Sequence, residues 1–377
     1  MMTKQRSCTR MSIVSIKRRQ LAYKLGSKAD TRQFVPFSKT TNGDHGRKVF
    51  IDAALAPLFA SLIDPNSAKG VQTIMKIEQL RAIAGGVTSN SNVNTPFEYM
   101  ENFVDLALYY QIHNGVAEAG NSAVPGVYIT DITFAGKETN SPAALYESKS
   151  VGPQLITNLV ENDIAEMSEG VVYADESLPV AALNASKITG KDGWGNSVNF
   201  NLFYIPDMVR NEMGVWMTPC RRAFRPQEAA QHFANTLVRT QQNRPSTSPI
   251  KWTIDSDGTK LLQLALEHVP GILDKHQFQL TDPVGDVVQV INLLERKGAK
   301  FAQKPVLYSK TNKRALATAA LSLRNGSLSR HQSFLEDKLR DNIVNSSYGS
   351  VQNNSLPSKV GGDFLTYMKN LSGAVSW

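Results

Sequence analysis

Three arginines, Arg221, Arg222 and Arg225, surround Phe224 in the segment Met217 to Pro226, just ahead of a helical pattern. A guanidinium holds phosphate in a two-pronged geometry and an aromatic ring can stack a base, so the grouping suits nucleic acid. Solvated charge at a helix start is the plain alternative, although the helix dipole disfavours cations there. A second basic run holds Lys297, Lys300, Lys304 and Lys310, and a third holds Lys17, Arg18 and Arg19. Both offer positive charge, which is what contact with a nucleic-acid backbone requires.

Patterns for other chemistry are near-misses. The pair Gly190-Lys191 would close a phosphate-binding loop, but Ala185 and Asp192 stand where glycine and Ser/Thr are required. Gly190, Gly193 and Gly195 therefore read as a tight turn. Asp255-Ser256-Asp257-Gly258 begins like a calcium loop and lacks its later ligands, so it reads as a turn capping the next helix. The six histidines show no paired ligand spacing, and His232 and His268 fall on helix faces as packing residues. Ser122 lacks the second glycine of a nucleophile elbow. Cys8 and Cys220 are too few for a disulfide framework or a cysteine metal cage. No catalytic residue, metal ligand or cofactor is expected.

Charge is segregated along the 377 residues. Residues 1–48 carry 12 Lys/Arg against Asp30 and Asp44, and residues 296–340 carry 11 against Glu336 and Asp337. Residues 49–295 are acidic, with 16 basic and 27 acidic side chains. Self-repulsion disfavours such gathering unless a polyanion or an acidic neighbour meets it. The first 29 residues lack acid, as a transit peptide would, but no apolar stretch follows to make a secretory signal. The longest apolar run, Ala53 to Ile63, is too short to span a membrane.

The elements that would position these groups fall into three regions: a basic arm at 1–48, a helical region at 49–125, and an α+β RNA-binding domain at 126–377, where alternating strands and helices indicate an α+β or α/β unit. Val49 to Ile63 reads as a helix closed by Asp64-Pro65-Asn66, and Ser67 caps a second helix. Thr95-Pro96-Phe97-Glu98 has the form of a capping box launching a helix to about His113. Val127 to Phe134 and Ser197 to Ile205 alternate as strands, with Phe200, Leu202 and Tyr204 on one face. Lys251 to Ile254 is a further short strand. Helices are expected over 154–167, 227–241, 259–268, 329–344 and 363–371.

From 197 to 377 the order of segments resembles the backbone (Cas-seven type) subunit of type I-F CRISPR surveillance complexes. The matching stretches are Ser197 to Ile205, Glu228 to Arg239 running into Asn243-Arg244, Leu261 to Ile272, Gly285 to Val288 and Lys297 to Ser309. His331 to Arg340, Tyr348 to Val351 and Asp363 to Met368 complete the series, while residues 1–125 have no counterpart. The resemblance implies an RRM-like (ferredoxin-like) palm with helical insertions, after a mainly helical N-terminal region. It implies a cytoplasmic, non-enzymatic scaffold that grips guide RNA without sequence preference. Its partners would be copies of itself, other subunits of the ribonucleoprotein and target DNA, with no membrane. Lys297, Lys300, Lys304 and Lys310, together with the helix beginning at His331, would supply phosphate contacts.

A viral coat or nucleocapsid protein is the alternative, with the basic arm packaging RNA. An organellar ribonucleoprotein component is a third reading, marked by a processed N-terminus.

Overall fold

The computed structural model describes residues 18–20, 34–43, 46–83, 97–103, 106–113, 126–134, 141–151, 154–189, 199–215, 224–245, 249–309, 311–324 and 363–374. They form a mixed α+β molecule with two sheets.

The first sheet has six strands: β1 (Arg18–Gln20), β2 (Phe34–Pro36), β3 (Lys48–Asp52), β4 (Phe97–Phe103), β5 (Leu106–His113) and β6 (Gly126–Phe134). Their order is β1-β4-β5-β6-β3-β2, and only β3 and β6 run parallel. Between β3 and β4 lie α1 (Ala56–Leu62) and α2 (Ala68–Ile83).

The expected helices at 49–63 and 97–113 need correction, and with them the expected helical region at 49–125. Val49 and Ile51 are buried on a strand, and the Asp52 carboxylate accepts from the Ala54 amide to turn the chain into α1. From Phe97 to His113 the chain forms an antiparallel strand pair in which Tyr99 lies opposite Tyr110. Their rings stack with centroids 5.5 Å apart. Such cross-strand aromatic pairs stabilise a sheet, and a run this rich in Tyr, Phe and Ile packs well on a pleated surface. The capping-box pattern is a four-residue signal and is outweighed by that longer-range pairing.

The second sheet has seven strands: β7 (Ala144–Val151), β8 (Gln154–Leu159), β9 (Glu169–Asp175), β10 (Asn199–Pro206), β11 (Ile250–Asp255), β12 (His276–Thr281) and β13 (Lys300–Leu307). Their order is β13-β12-β11-β9-β10-β7-β8. The five strands from β13 to β10 are mutually parallel, while β7 and β8 add an antiparallel hairpin at one edge. The crossovers contain α3 (Leu178–Ile188), α4 (Asp207–Val215), α5 (Phe224–Asn243), α6 (Gly258–His268) and α7 (Val287–Arg296). Two more helices, α8 (Lys313–Arg324) and α9 (Phe364–Ala374), follow.

This corrects the RRM-like palm expected for 126–377. Such a palm is an antiparallel sheet, whereas each parallel neighbour here needs a helical crossover, which the sequence supplies four times. The domain boundary shifts as well, because residues 126–134 are a strand of the first sheet. The expected helix at 154–167 is strand β8 and a loop. Helices at 227–241, 259–268 and 363–371 are present, and the expected helix at 329–344 lies outside the described residues.

Burial follows the period of two. Phe200, Leu202 and Tyr204 on β10 pack with Ala181, Ala182 and Ala185 of α3. Phe203 and Ile205 point the other way, into a core with Phe233 of α5, Trp252 of β11 and Leu261 of α6. Gly170 lies opposite Trp252 in the β9–β11 ladder, and a Cβ there would come within 2.5 Å of the indole. A third core gathers α1, α2, Ala317 of α8 and Phe364 and Tyr367 of α9 beneath the first sheet.

Trp252 also fixes a buried histidine. Its Nε1–H donates to His276 Nδ1 at 3.0 Å, so His276 carries its proton on Nε2 and donates to the Leu237 carbonyl at 3.0 Å. Burial pushes the His276 pKa down to about 4. A histidine held neutral in the fold stabilises above its unfolded pKa near 6.5 and loses that contribution as pH falls through the folded value. The stability difference between wild type and His276→Leu is therefore expected to shift by about 3 kcal/mol from pH 7 to 4, against wild type at the acid end. An acid slope unchanged in that variant would place its origin elsewhere.

Candidate functional site at the carboxyl edge of the parallel sheet

In an open parallel sheet every strand delivers its C-terminal residue to one edge, and ligands bind where the strand order reverses. Here the reversal lies between β9 and β11. The edge receives Asp175 from β9, Asp207 directly after β10, Asp255 from β11 and Asp282 directly after β12. Sequence alone would favour apolar or turn residues at strand ends, so four carboxylates at one edge demand partners.

Most partners are internal. Arg314 Nη2 reaches both Asp257 oxygens, at 2.8 and 2.7 Å, and Lys260 Nζ reaches Oδ1 at 3.3 Å. Asp257 is 2% exposed. Burial pushes its carboxyl up, but Arg314, then Lys260 and Arg210, more than reverse this and hold it well below the usual carboxylate range. This explains why Asp257 makes no side-chain cap bond to α6, contrary to the capping role expected from its position. Arg210 Nη2 lies 2.6 Å from Asp207. Asp282 adopts a left-handed backbone conformation with φ 47°, and its oxygens accept from the Ser309 amide and hydroxyl at 2.6 and 2.8 Å.

Asp255 differs. Burial, reinforced by Asp282 and Asp257 and opposed by a Ser256 hydrogen bond and Arg314, pushes its pKa up to about 7. Tyr173, one strand over, is pushed up to about 12 by burial and by Asp255 and Asp175. Among the described residues no group of three or more His, Cys, Asp or Glu is placed to hold a metal ion. The edge is thus an internal ion-pair cluster. Arg314 arrives on α8, whose Ala317 belongs to the core beneath the first sheet, so the cluster also ties the two sheets together.

Beside it the edge opens into a cavity of about 410 Å³ between the end of β10, the start of α4, residues 141–143 and one face of α5. Arg225 is among its lining, with Nη1 facing Met208 Sδ at 3.8 Å.

The expected nucleic-acid contacts are dispersed. Lys17, Arg221, Arg222, Lys310 and His331 lie outside the described residues. Arg18 and Arg19 sit on β1 opposite Tyr99 and Glu98. Lys297 follows α7, and its ammonium donates to the Val269 carbonyl, so it anchors a loop. Lys300 and Lys304 are exposed on β13, the outermost strand. The β12–β13 register slips between Phe278/Phe301 and Leu280/Val306, so residues 302–305 stand opposite Gln279 alone. The amides of Gln277 and Gln279 hold this stretch by donating to the Phe301 and Lys304 carbonyls, at 3.0 and 3.2 Å. Arg225 stands beyond β10, four strand steps or roughly 19 Å from β13. The sheet therefore does not join Arg225 and the lysines into one groove.

The carboxylate cluster was not anticipated. Its signal was an aspartate closing each of several apolar segments (Val171 to Asp175, Ile250 to Asp255, Phe278 to Asp282), each followed by a helix.

No family model, no curated protein and no solved structure matches the chain. No helix among the described residues is long and apolar enough to cross a membrane.

Proposed function

We propose that the protein is a non-enzymatic scaffold that binds RNA through its sugar-phosphate backbone, without sequence preference, and assembles with copies of itself. The observation that carries the reading is the exposed pair Lys300 and Lys304 on a bulged outermost strand. They open a segment, 296–340, with 11 basic side chains against 2 acidic ones. Lys300 pairs in register with Gln277 and Lys304 stands in the register shift, and exposed positive charge along such an edge can follow a phosphate backbone. The internal pairing of Asp207, Asp257 and Asp282 adds support, since carboxylates held this way serve the fold rather than acid–base chemistry. Guide RNA of a CRISPR surveillance complex is the specific cargo the sequence resemblance implies. Packaging of a viral genome is the alternative.

The test is to purify the protein from its native host at moderate salt and sequence the nucleic acid that accompanies it. Short RNAs of uniform length with a shared repeat-derived end support the guide-RNA form, and genome-length RNA supports the coat form. Protein free of nucleic acid overturns both.

A second observation favours a plainer role for the same lysines, because charged side chains on an edge strand block edge-to-edge aggregation. Lys300→Glu with Lys304→Glu separates the two. Under the RNA reading, the slope of log affinity against log salt for single-stranded RNA falls by about 0.7 per lost contact. Under edge protection, RNA affinity and slope stay as they were. Lys297→Glu is expected instead to lower stability, since it removes the anchor on Val269.

A further inference from the structure

The cavity at the carboxyl edge is partly open to solvent and mixes charged with apolar side chains. Its volume of about 410 Å³ lies within the range of small-molecule pockets. Arg225, Glu228 and His232 come from one face of α5, at the three- and four-residue spacings that align side chains along a helix. Met208 and Val209, both buried, form the apolar wall at the start of α4. Ser141 stands on the third side, at the approach to β7. Pro206 ends β10, so the cavity lies at the carboxyl ends of the parallel strands, one strand from the reversal between β9 and β11.

We propose that this cavity receives one nucleoside monophosphate unit. The Arg225 guanidinium, which also donates from Nη1 to Met208 Sδ, takes the phosphate by its charge. The thioether of Met208 and the side chain of Val209 meet the flat face of the base, a contact that polarizable sulfur favours. Glu228 accepts from a ribose hydroxyl or an exocyclic amine, and Ser141 and His232 complete the polar rim. The inference rests on the RNA reading for the source of the unit, a nucleotide of a bound strand. A free mononucleotide offers the same chemistry, and the experiment separates the two.

The full-length protein is irradiated with a 15-nucleotide RNA containing 4-thiouridine, and cross-linked peptides are identified by mass spectrometry. Binding of the same RNA and of free uridine monophosphate is measured in parallel. The expected result is an adduct on the peptide carrying Met208 and Val209 or on the 225–232 face. Arg225→Ala should lower its yield about tenfold or more, the value of a lost charged hydrogen bond. His232→Trp, which fills the cavity from an exposed helix position and keeps Arg225, should lower it as much. RNA that binds normally but cross-links only elsewhere overturns the cavity assignment and leaves the RNA reading standing. Uridine monophosphate binding that both variants abolish, with no RNA binding, supports the cavity and overturns the RNA reading. Failure of both ligands to bind overturns the two together.

Discussion

Asp257→Asn is expected to lower the stability of the folded chain by about 3–5 kcal/mol, read as a fall in the urea midpoint at unchanged slope. The amide has the shape of the carboxylate and keeps some hydrogen bonding, so packing changes little. The loss comes from charge. Arg314 and Lys260 both converge on Asp257, at 2.7 and 3.3 Å, and the variant leaves two cations facing one another without their anion. Removing one partner of a buried pair costs far more than replacing the whole pair by apolar groups. Asp257→Leu with Arg314→Met and Lys260→Met should therefore recover most of what Asp257→Asn loses. The pH dependence follows from the depressed carboxyl. Its contribution is complete above the unfolded carboxylate pKa near 3.9 and fades only as pH falls through the lower folded value. The gap between wild type and Asp257→Asn should accordingly vary from pH 5 to 8 only by as much as loss of the Asp257 charge lowers the neighbouring Asp255 carboxyl. A loss below about 1 kcal/mol would mean that the pair behaves as an exposed salt bridge. Because Arg314 rides on α8, the same variant should also loosen the attachment of α8 to the parallel sheet, seen as faster amide exchange in 313–319.

What was legible beforehand was local. The alternation at 197–205 gave both the strand and its two faces, since a period of two survives any tertiary context. The helices at 227–241 and 259–268 were equally plain, each long enough to show an apolar stripe. Segments of comparable apolarity but weaker period were misread: 49–63 and 97–113 look helical residue by residue, and only pairing between Tyr99 and Tyr110 makes the second a strand pair. Pairing across a turn, or between β9 and β11 with some 75 residues intervening, leaves no mark in a window of fifteen residues. Alternating strands and helices left α/β open beside α+β, and the order of elements alone did not decide for the parallel sheet. The resemblance to a CRISPR subunit followed the order of segments, which does not specify how strands are arranged. The site illustrates the same limit. Basic residues announce themselves through composition, so Lys300 and Lys304 stand out as charge, whereas Arg314 reads as one more cation until the fold sets it on an aspartate 57 positions away. Lys297 was assigned to phosphate by its neighbours in sequence and is occupied by Val269, its neighbour in space.

Asp255→Asn should stabilise the protein at pH 8 and leave it nearly unchanged below about pH 4. Burial keeps the Asp255 carboxyl protonated in the fold up to about pH 7, against an ordinary value of 3.8. A group whose folded pKa is raised stabilises fully below its unfolded value, and that contribution is lost as pH rises through the folded one. Wild type thus weakens between about pH 4 and 7 by up to about 4 kcal/mol, reduced where solvent reaches this half-buried side chain. The asparagine stays neutral throughout and escapes the loss, so about 2 kcal/mol of extra stability at pH 8 is the expected reading. His276 acts in the opposite sense over an overlapping window, losing stability as pH falls toward 4. The two slopes cancel in part in wild type, so a flat pH profile there says little, and the variant-minus-wild-type difference isolates Asp255. The groups around Asp255 make a second readout available. Its charge helps raise Tyr173 to about 12, so Asp255→Asn should also lower the tyrosine's titration point in ultraviolet absorbance. A variant that melts with the wild type at pH 8 would show that Asp255 is ionised at little cost, with Arg314 serving both aspartates of the turn.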